Sequence, residues 1–187
     1  MMPVVRINDA TFADLSALKT WFGTKSPSET IDRVVQEVME QLGMERDEEA
    51  EEATAIASDG AMQFERAPSL TFTKPLAATI NGKAIQNPNW ATILHAMLAQ
   101  VKGKGLEGEK LVRELAIPTR ATKYEEEGFK YQADLGISVQ GQSASDAWKE
   151  VDRLAKKWRI PVTVEFMWRQ NPKAQYPGKN GVLRSGQ

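Results

Sequence analysis

Hydrophobic residues recur at intervals of three or four in two runs near the start of the chain. This interval places side chains on one face of an α-helix. Polar and charged residues fill the positions between them. The pattern therefore predicts two amphipathic helices. Their apolar residues are Phe12, Leu15, Leu18 and Phe22 in the first, and Ile31, Val34, Val35, Val38 and Leu42 in the second.

The residues that flank these helices indicate where each begins and ends. Asn8-Asp9 is suited to cap the first helix, and Gly23 to end it. Ser26-Pro27-Ser28-Glu29 has the form of a capping box, in which Ser26 accepts the Glu29 amide hydrogen and the Glu29 carboxylate reaches back to Ser26. Residues 4–7, which come directly before Asn8-Asp9, predict a short strand.

This N-terminal segment is too short to fold by itself. About forty residues bury too little surface to offset the entropy of the chain. A lone strand also leaves its backbone groups unpaired. Pairing the strand with its copy across a two-fold axis meets both demands, so we predict a dimer.

A second set of patterns follows after the acidic segment 45–52. Asn81-Gly82 supplies the positive φ angles of a two-residue hairpin turn. Asn87 and Pro88 are suited to cap and open a helix. The predicted elements are a hairpin over 75–85, a helix that opens at 88 and carries its apolar residues over 90–101, a helix over 145–158, and two strands, 135–139 and 162–168, that flank this second helix.

Composition and charge divide the chain further. The 187 residues are 41% hydrophobic, contain no cysteine and carry a net charge of −1. The acidic segment contrasts with a basic C-terminal stretch. We predict an α+β protein with four parts: a dimerising module over 1–43, an acidic flexible linker over 44–69, an α+β domain over 70–170 and a basic flexible tail over 171–187.

The inventory of reactive residues is poor. One histidine, His95, and no cysteine disfavour the usual zinc sites and nucleophiles. The glycine-lysine pairs follow no phosphate-loop pattern. We therefore expect no enzyme, no cofactor and no metal. No apolar run reaches the ~20 residues that cross a bilayer, and the absence of cysteine fits a reducing cytoplasm.

The order of features over residues 4–42 resembles the ribbon-helix-helix superfamily of repressors, partition proteins and antitoxins. The shared features are a strand, an Asn-Asp junction, a helix, a glycine, Ser-x-Ser-Glu-x-Ile and a second helix. The resemblance implies a two-stranded ribbon in the DNA major groove. It implies that Val5 and Ile7 face the dimer core, that Met2, Val4 and Arg6 face the groove, and that Thr24, Lys25, Ser26 and Ser28 lie near a phosphate.

The C-terminal third carries a second candidate surface. Basic residues cluster on the predicted helix and continue beyond it, with Trp158, Trp168 and Tyr176 interleaved. Nucleic-acid surfaces combine basic and aromatic residues in this way. A basic solvated helix face with a disordered terminus is the simpler interpretation. The candidates for DNA contact are Lys156, Lys157, Arg159, Arg169 and Lys173.

The leading hypothesis is a dimeric, sequence-preferring DNA-binding protein. It would be a regulator of transcription or replication, such as a repressor, in the cytoplasm and associated with the nucleoid. Its C-terminal domain would bind a ligand, oligomerise or contact DNA a second time. The alternative is an antitoxin-like or accessory protein whose C-terminal domain binds a protein partner.

Overall fold

The computed structural model describes residues 4–44 and 60–187. Contacts divide the chain into two compact units, Met1–Met39 and Glu40–Gln187. The helices are α1 (Asp9–Phe22), α2 (Pro27–Leu42), α3 (Trp90–Lys102), α4 (Glu109–Glu114) and α5 (Ala144–Trp158). The strands are β1 (Met62–Gln63), β2 (Thr73–Ile80), β3 (Lys83–Ala84), β4 (Thr119–Arg120), β5 (Phe129–Gln132), β6 (Ile137–Gln140), β7 (Val162–Trp168) and β8 (Asn180–Ser185). The predicted α+β class is confirmed.

The ends of α1 are set by local hydrogen bonds. The side-chain oxygen of Asn8 accepts the amide hydrogen of Thr11 at 2.7 Å. At the other end Gly23 has φ 66° and donates its N–H to the Lys19 carbonyl. A residue without a Cβ adopts this left-handed conformation at little cost. Both predicted caps of α1 are confirmed.

One of the two hydrogen bonds predicted for the capping box before α2 is present, and the other has a different donor. The Ser26 hydroxyl accepts the Glu29 amide hydrogen at 3.2 Å, and Pro27 is the first helical residue. The Glu29 carboxylate accepts the Lys25 amide hydrogen at 2.8 Å, whereas Ser26 was the expected donor. The carboxylate thus reaches one residue further out, to an amide that the helix leaves unbonded.

The strand predicted over Val4–Ile7 is not present, so a ribbon-helix-helix arrangement is not confirmed. Residues 4–8 have no regular secondary structure. A strand is defined by hydrogen bonds to a neighbouring strand, and the described residues of the first unit offer residues 4–7 no strand to pair with. The expected neighbour was a second copy of the chain, which a single chain cannot supply.

One sheet of the second unit has the strand order β1-β8-β7-β2-β3. The pair β1–β8 is parallel, and the other neighbours are antiparallel. Asn81 (φ 51°) and Gly82 (φ 75°) join β2 to β3, so the predicted hairpin and its turn are confirmed. A separate sheet has the order β4-β6-β5.

The predicted start of α3 is wrong by two residues. Asn87 lies outside the helix with φ 46°, and Asn89 is the cap. The Asn89 side chain accepts the Thr92 amide hydrogen at 2.8 Å, and the Thr92 hydroxyl accepts the Asn89 amide hydrogen at 2.8 Å. This reciprocal pair satisfies two amides, and Asn87 has no such partner three residues on, because Trp90 stands there.

The core of the second unit lies on one face of β7 and against α3 and α5. Val162, Val164, Phe166 and Trp168 are all buried, while the residues between them are half-buried. The Phe166 ring lies 4.8 Å from the Trp168 ring and 6.0 Å from the Trp90 ring, measured between centroids. Trp90, Phe166 and Trp168 therefore form an aromatic cluster in this core.

The structure of the second unit differs from the predictions in three further respects. The strands on either side of α5 belong to different sheets, since β6 pairs with β4 and β5 while β7 pairs with β2 and β8. The tail expected over 171–187 is not a flexible terminus, because β8 pairs along β7. Most of the expected linker lies outside the described residues, but β1 falls within it and pairs with β8.

None of the described helices has the length and apolar character needed to cross a membrane.

Candidate nucleic-acid interface

The exposed large hydrophobic side chains of the described residues all lie between Val4 and Leu42. On α2 they form a stripe in which Val38 is 45% exposed. In the same region Leu15 and Thr30 are buried. Leu42, at the end of α2, is the one member of this set in the second unit, and the described residues after it expose no large hydrophobic side chain. The exposed set is Val4, Val5, Ile7, Phe12, Leu18, Trp21, Ile31, Val35, Val38 and Leu42.

The residues expected to face the groove belong to the segment before α1. Val4 is 88% and Val5 is 82% exposed, and Arg6 is also exposed. Met2 lies outside the described residues. The structure therefore leaves Val4 and Arg6 accessible, but it does not sort the segment into an inward and an outward face.

The residues that the resemblance places near a phosphate lie in the turn between α1 and α2, which holds Thr24, Lys25 and Ser26, and in the first turn of α2, which holds Ser28. The hydroxyl oxygens of Thr24 and Thr30 are 2.6 Å apart, and the Thr30 hydroxyl donates to the Ser26 carbonyl at 3.0 Å. Thr30 is buried, so its hydroxyl group stabilises the turn through hydrogen bonds that lie away from solvent.

The amides of this turn are largely occupied. Lys25 N–H is bonded to the Glu29 carboxylate, and the Glu29 and Thr30 amides are bonded to Ser26. A phosphate would reach the Lys25 amide only by displacing Glu29. What the turn offers an anion is therefore its hydroxyl groups, the Lys25 side chain and the positive end of α2.

Three basic residues of α5, Arg153, Lys156 and Lys157, are paired with acids. Lys156 lies 2.7 Å from Asp152 on the same helix. Lys157 lies 2.9 Å from Glu114 at the end of α4. Both lysines are exposed, and so is Arg159, which ends the helix with φ 50°. The predicted contacts Lys156 and Lys157 thus carry a partly neutralised charge.

Glu114 is the centre of this network. Besides Lys157, it accepts the Trp158 indole N–H at 3.1 Å and lies 3.8 Å from Arg153. Burial raises the pKa of Glu114, but the hydrogen bonds from Lys157 and Trp158 and the charges of Lys157 and Arg153 lower it by more. The Glu114 side chain therefore stays ionised at pH values below those at which a glutamate ordinarily takes up a proton.

The lowered pKa of Glu114 makes the second unit less stable in acid. A carboxylate with a lowered folded-state pKa contributes stability above its ordinary value of 4.5, and loses it as the pH falls through the folded-state pKa. We expect the unfolding free energy of Glu114→Gln, measured by urea titration from pH 6 to about pH 3, to fall less steeply than that of the wild type.

Glu109→Gln is the matched control, because Glu109 is exposed at the other end of α4. It should follow the wild-type slope. A Glu114→Gln slope equal to that of the wild type would show that the network contributes no pH-dependent stability.

Arg169 and Lys173 lie on the loop between β7 and β8, which we define as Arg169–Lys179. The amide of Arg169 donates to the Phe72 carbonyl at 2.7 Å, and the amide of Lys173 donates to the Asn171 side chain at 2.9 Å. Lys179 closes the loop beside Trp168, whose amide donates to the Lys179 carbonyl at 2.9 Å. These basic residues occupy a folded loop.

Two features of these surfaces were missed in the sequence. The acids that neutralise α5 are one: Asp152 precedes Lys156 by four residues, a spacing that predicts an ion pair, whereas Glu114 is too distant in sequence to give a signal. Phe64 is the other. It lies in the predicted linker, yet its ring lies 6.2 Å from that of Tyr176 and 5.8 Å from that of Trp168.

His95 forms a pair with Asp134 that the sequence did not indicate. Its Nε2 lies 2.7 Å from a carboxylate oxygen of Asp134, and Lys102 donates to the Asp134 carbonyl. In residues 4–44 and 60–187, no three acidic or histidine side chains are grouped so that they could hold a metal ion.

No protein-family model, curated protein or solved structure was found to match the chain. Its function has to be inferred from the geometry of the described residues.

Proposed function

We propose that this protein binds double-stranded DNA as a dimer formed through its N-terminal unit, and that it regulates transcription or replication at the nucleoid. The observation that carries the proposal is the concentration of exposed apolar side chains between Val4 and Leu42. Apolar patches of this kind mark interaction sites. The ribbon-helix-helix resemblance supplies DNA as the ligand.

A second copy of the chain is the partner that best fits this surface. Two copies would cover the α2 stripe with its own equivalent, and burying a Val, Leu, Ile or Phe side chain contributes roughly 1.5–3 kcal/mol. Residues 4–7 would pair with their copy and satisfy the backbone groups that a single chain leaves open. A symmetric interface of this type is the commonest in soluble oligomers.

The second unit supports the regulator over the protein-binding alternative. Its described residues beyond α2 expose no large hydrophobic side chain, whereas the core of a protein interface is apolar and aromatic. It also has its own core around Phe166 and Trp168, unlike a tail that folds on its target.

In the proposed dimer Arg6 is the residue that reads bases. An arginine on a ribbon in the major groove can donate two hydrogen bonds to guanine O6 and N7. Val4 would contact a thymine methyl group, and Thr24, Lys25, Ser26 and Ser28 would position the backbone. Arg6 is exposed in the single chain and would be available for this contact.

The test is to select duplexes from a random pool with the full-length chain and with Arg6→Ala. We expect the wild type to enrich a short two-fold-related sequence. Arg6→Ala should lose the preference at the guanine positions, at a cost of about 1–3 kcal/mol per base pair, while it retains non-specific binding. Equilibrium binding to selected and scrambled duplexes gives the magnitude.

Arg33→Ala is the charge-matched control, because Arg33 is an exposed arginine on α2. It should select the same sequence as the wild type. If Arg6→Ala and the wild type select the same sequence, Arg6 does not read bases. If neither protein enriches any sequence, the proposed function is wrong.

A further inference from the structure

We propose that the β7–β8 loop, Arg169–Lys179, is a second DNA-binding surface that contacts the phosphate backbone independently of the N-terminal unit. The proposal rests on the proposed function only for the identity of the partner, duplex DNA. The loop and the N-terminal unit share no residues, so their contributions can be measured separately.

The charge of the loop distinguishes it from the other basic segment, α5. The loop contains Arg169, Lys173 and Lys179 and no acid, so its net charge is +3. Helix α5 contains four bases (Lys149, Arg153, Lys156, Lys157) and three acids (Asp146, Glu150, Asp152), so its net charge is +1. The excess positive charge of this region therefore lies on the loop.

The loop is held in one conformation by backbone hydrogen bonds. Its end is closed by two bonds between Trp168 and residues 178–179: the Trp168 amide donates to the Lys179 carbonyl at 2.9 Å, and the Gly178 amide donates to the Trp168 carbonyl at 3.1 Å. The Gln175 side chain accepts the Ser69 amide hydrogen at 2.7 Å. An ordered loop loses little conformational entropy when it binds a ligand.

Aromatic rings anchor the loop to the core. The Tyr176 ring lies 5.0 Å from the buried Trp168 ring and is stacked on Phe64. Tyr176 itself is half-buried. Tyrosine hydroxyls and basic side chains are both groups that contact phosphate oxygens.

The chemistry of the surroundings favours a phosphate backbone over a protein partner. The described residues of the second unit beyond α2 expose no large hydrophobic side chain that could form the centre of a protein interface. A loop with a net charge of +3 binds anions mainly by neutralising them and releasing their counterions. Such a contact is insensitive to DNA sequence.

The experiment compares full-length wild type with the double variant Lys173→Gln/Lys179→Gln on a fixed random-sequence duplex. Binding is measured over a salt series. Each lost phosphate contact reduces the slope of log K against log salt by about 0.9, so we expect the slope to decrease by about 1.8. The control is Lys104→Gln/Lys110→Gln, which removes two exposed lysines elsewhere in the second unit and should keep the wild-type slope.

Circular dichroism of all three proteins verifies that the fold is intact. An unchanged slope for the loop variant, or an equal decrease in the control, would overturn the proposal, as would loss of binding to a protein partner with DNA binding unchanged. The Arg6→Ala selection separates the two ideas. If the loop variant lowers the salt slope but Arg6→Ala keeps the wild-type selection, the loop contacts DNA and Arg6 does not read bases. If Arg6→Ala loses the selection but the loop variant keeps the wild-type slope, only the loop proposal is wrong.

Discussion

Val38→Glu is expected to abolish self-association and DNA binding while the single chain stays folded. Val38 is 45% exposed on α2, so a glutamate there is solvated in the monomer. In the proposed dimer the same carboxylate would be buried against its own copy. Burying two unpaired like charges costs several kcal/mol, which outweighs what one apolar contact contributes. Sedimentation equilibrium measures the mass, and a gel-shift titration measures the DNA affinity.

Arg33→Glu is the control for this experiment. With 3.6 residues per turn, Arg33 lies about 140° around the helix from Val38, away from the apolar stripe, and it is exposed. The control changes the charge by more than Val38→Glu does, yet it should remain dimeric. A wild-type protein that is monomeric at all concentrations, or a Val38→Glu protein that is still a dimer, would contradict the proposed interface.

Phe166→Ala is expected to reduce the unfolding free energy of the second unit by about 3–5 kcal/mol. Phe166 is completely buried in the centre of β7 and contacts the rings of Trp90 and Trp168. Truncation leaves a cavity between rigid aromatic groups that cannot move in to fill it. Urea unfolding followed by tryptophan fluorescence reports this unit, because four of the five tryptophans lie in it.

Met167→Ala is the neighbouring control on the other face of β7, where the side chain is half-buried. It should cost less than half as much as Phe166→Ala, since less surface leaves water on folding. Equal losses for the two variants would mean that both faces of the sheet are packed to the same extent, contrary to the burial of this strand.

Two DNA contacts on one chain would strengthen each other. Once one unit is bound, the other acts at an effective concentration set by the connecting segment. Loss of either contact would then weaken overall binding by more than the isolated contact contributes. The Val38→Glu and loop variants, combined in one protein, measure this coupling.

Features that depend on near neighbours could be predicted from the sequence. The cap at Asn8, the end at Gly23 and the turn at Asn81-Gly82 all depend on residues within four positions, and all are present. The start of α3 was misplaced because two asparagines two residues apart, Asn87 and Asn89, both suit a cap. Only the hydroxyl of Thr92 distinguishes them.

By itself the sequence determined helices α1, α2, α3 and α5, their apolar faces and the hairpin, because periodicity and turn chemistry act over a few residues. Only the tertiary structure decided that β6 and β7 belong to different sheets, that β8 orders the C-terminal segment, and that Glu114 neutralises part of α5. These outcomes join residues far apart in the chain, and their free energies depend on which surfaces meet. Residues 4–7 depend on a contact between chains in the same way, because the strand that they are expected to form requires a second chain.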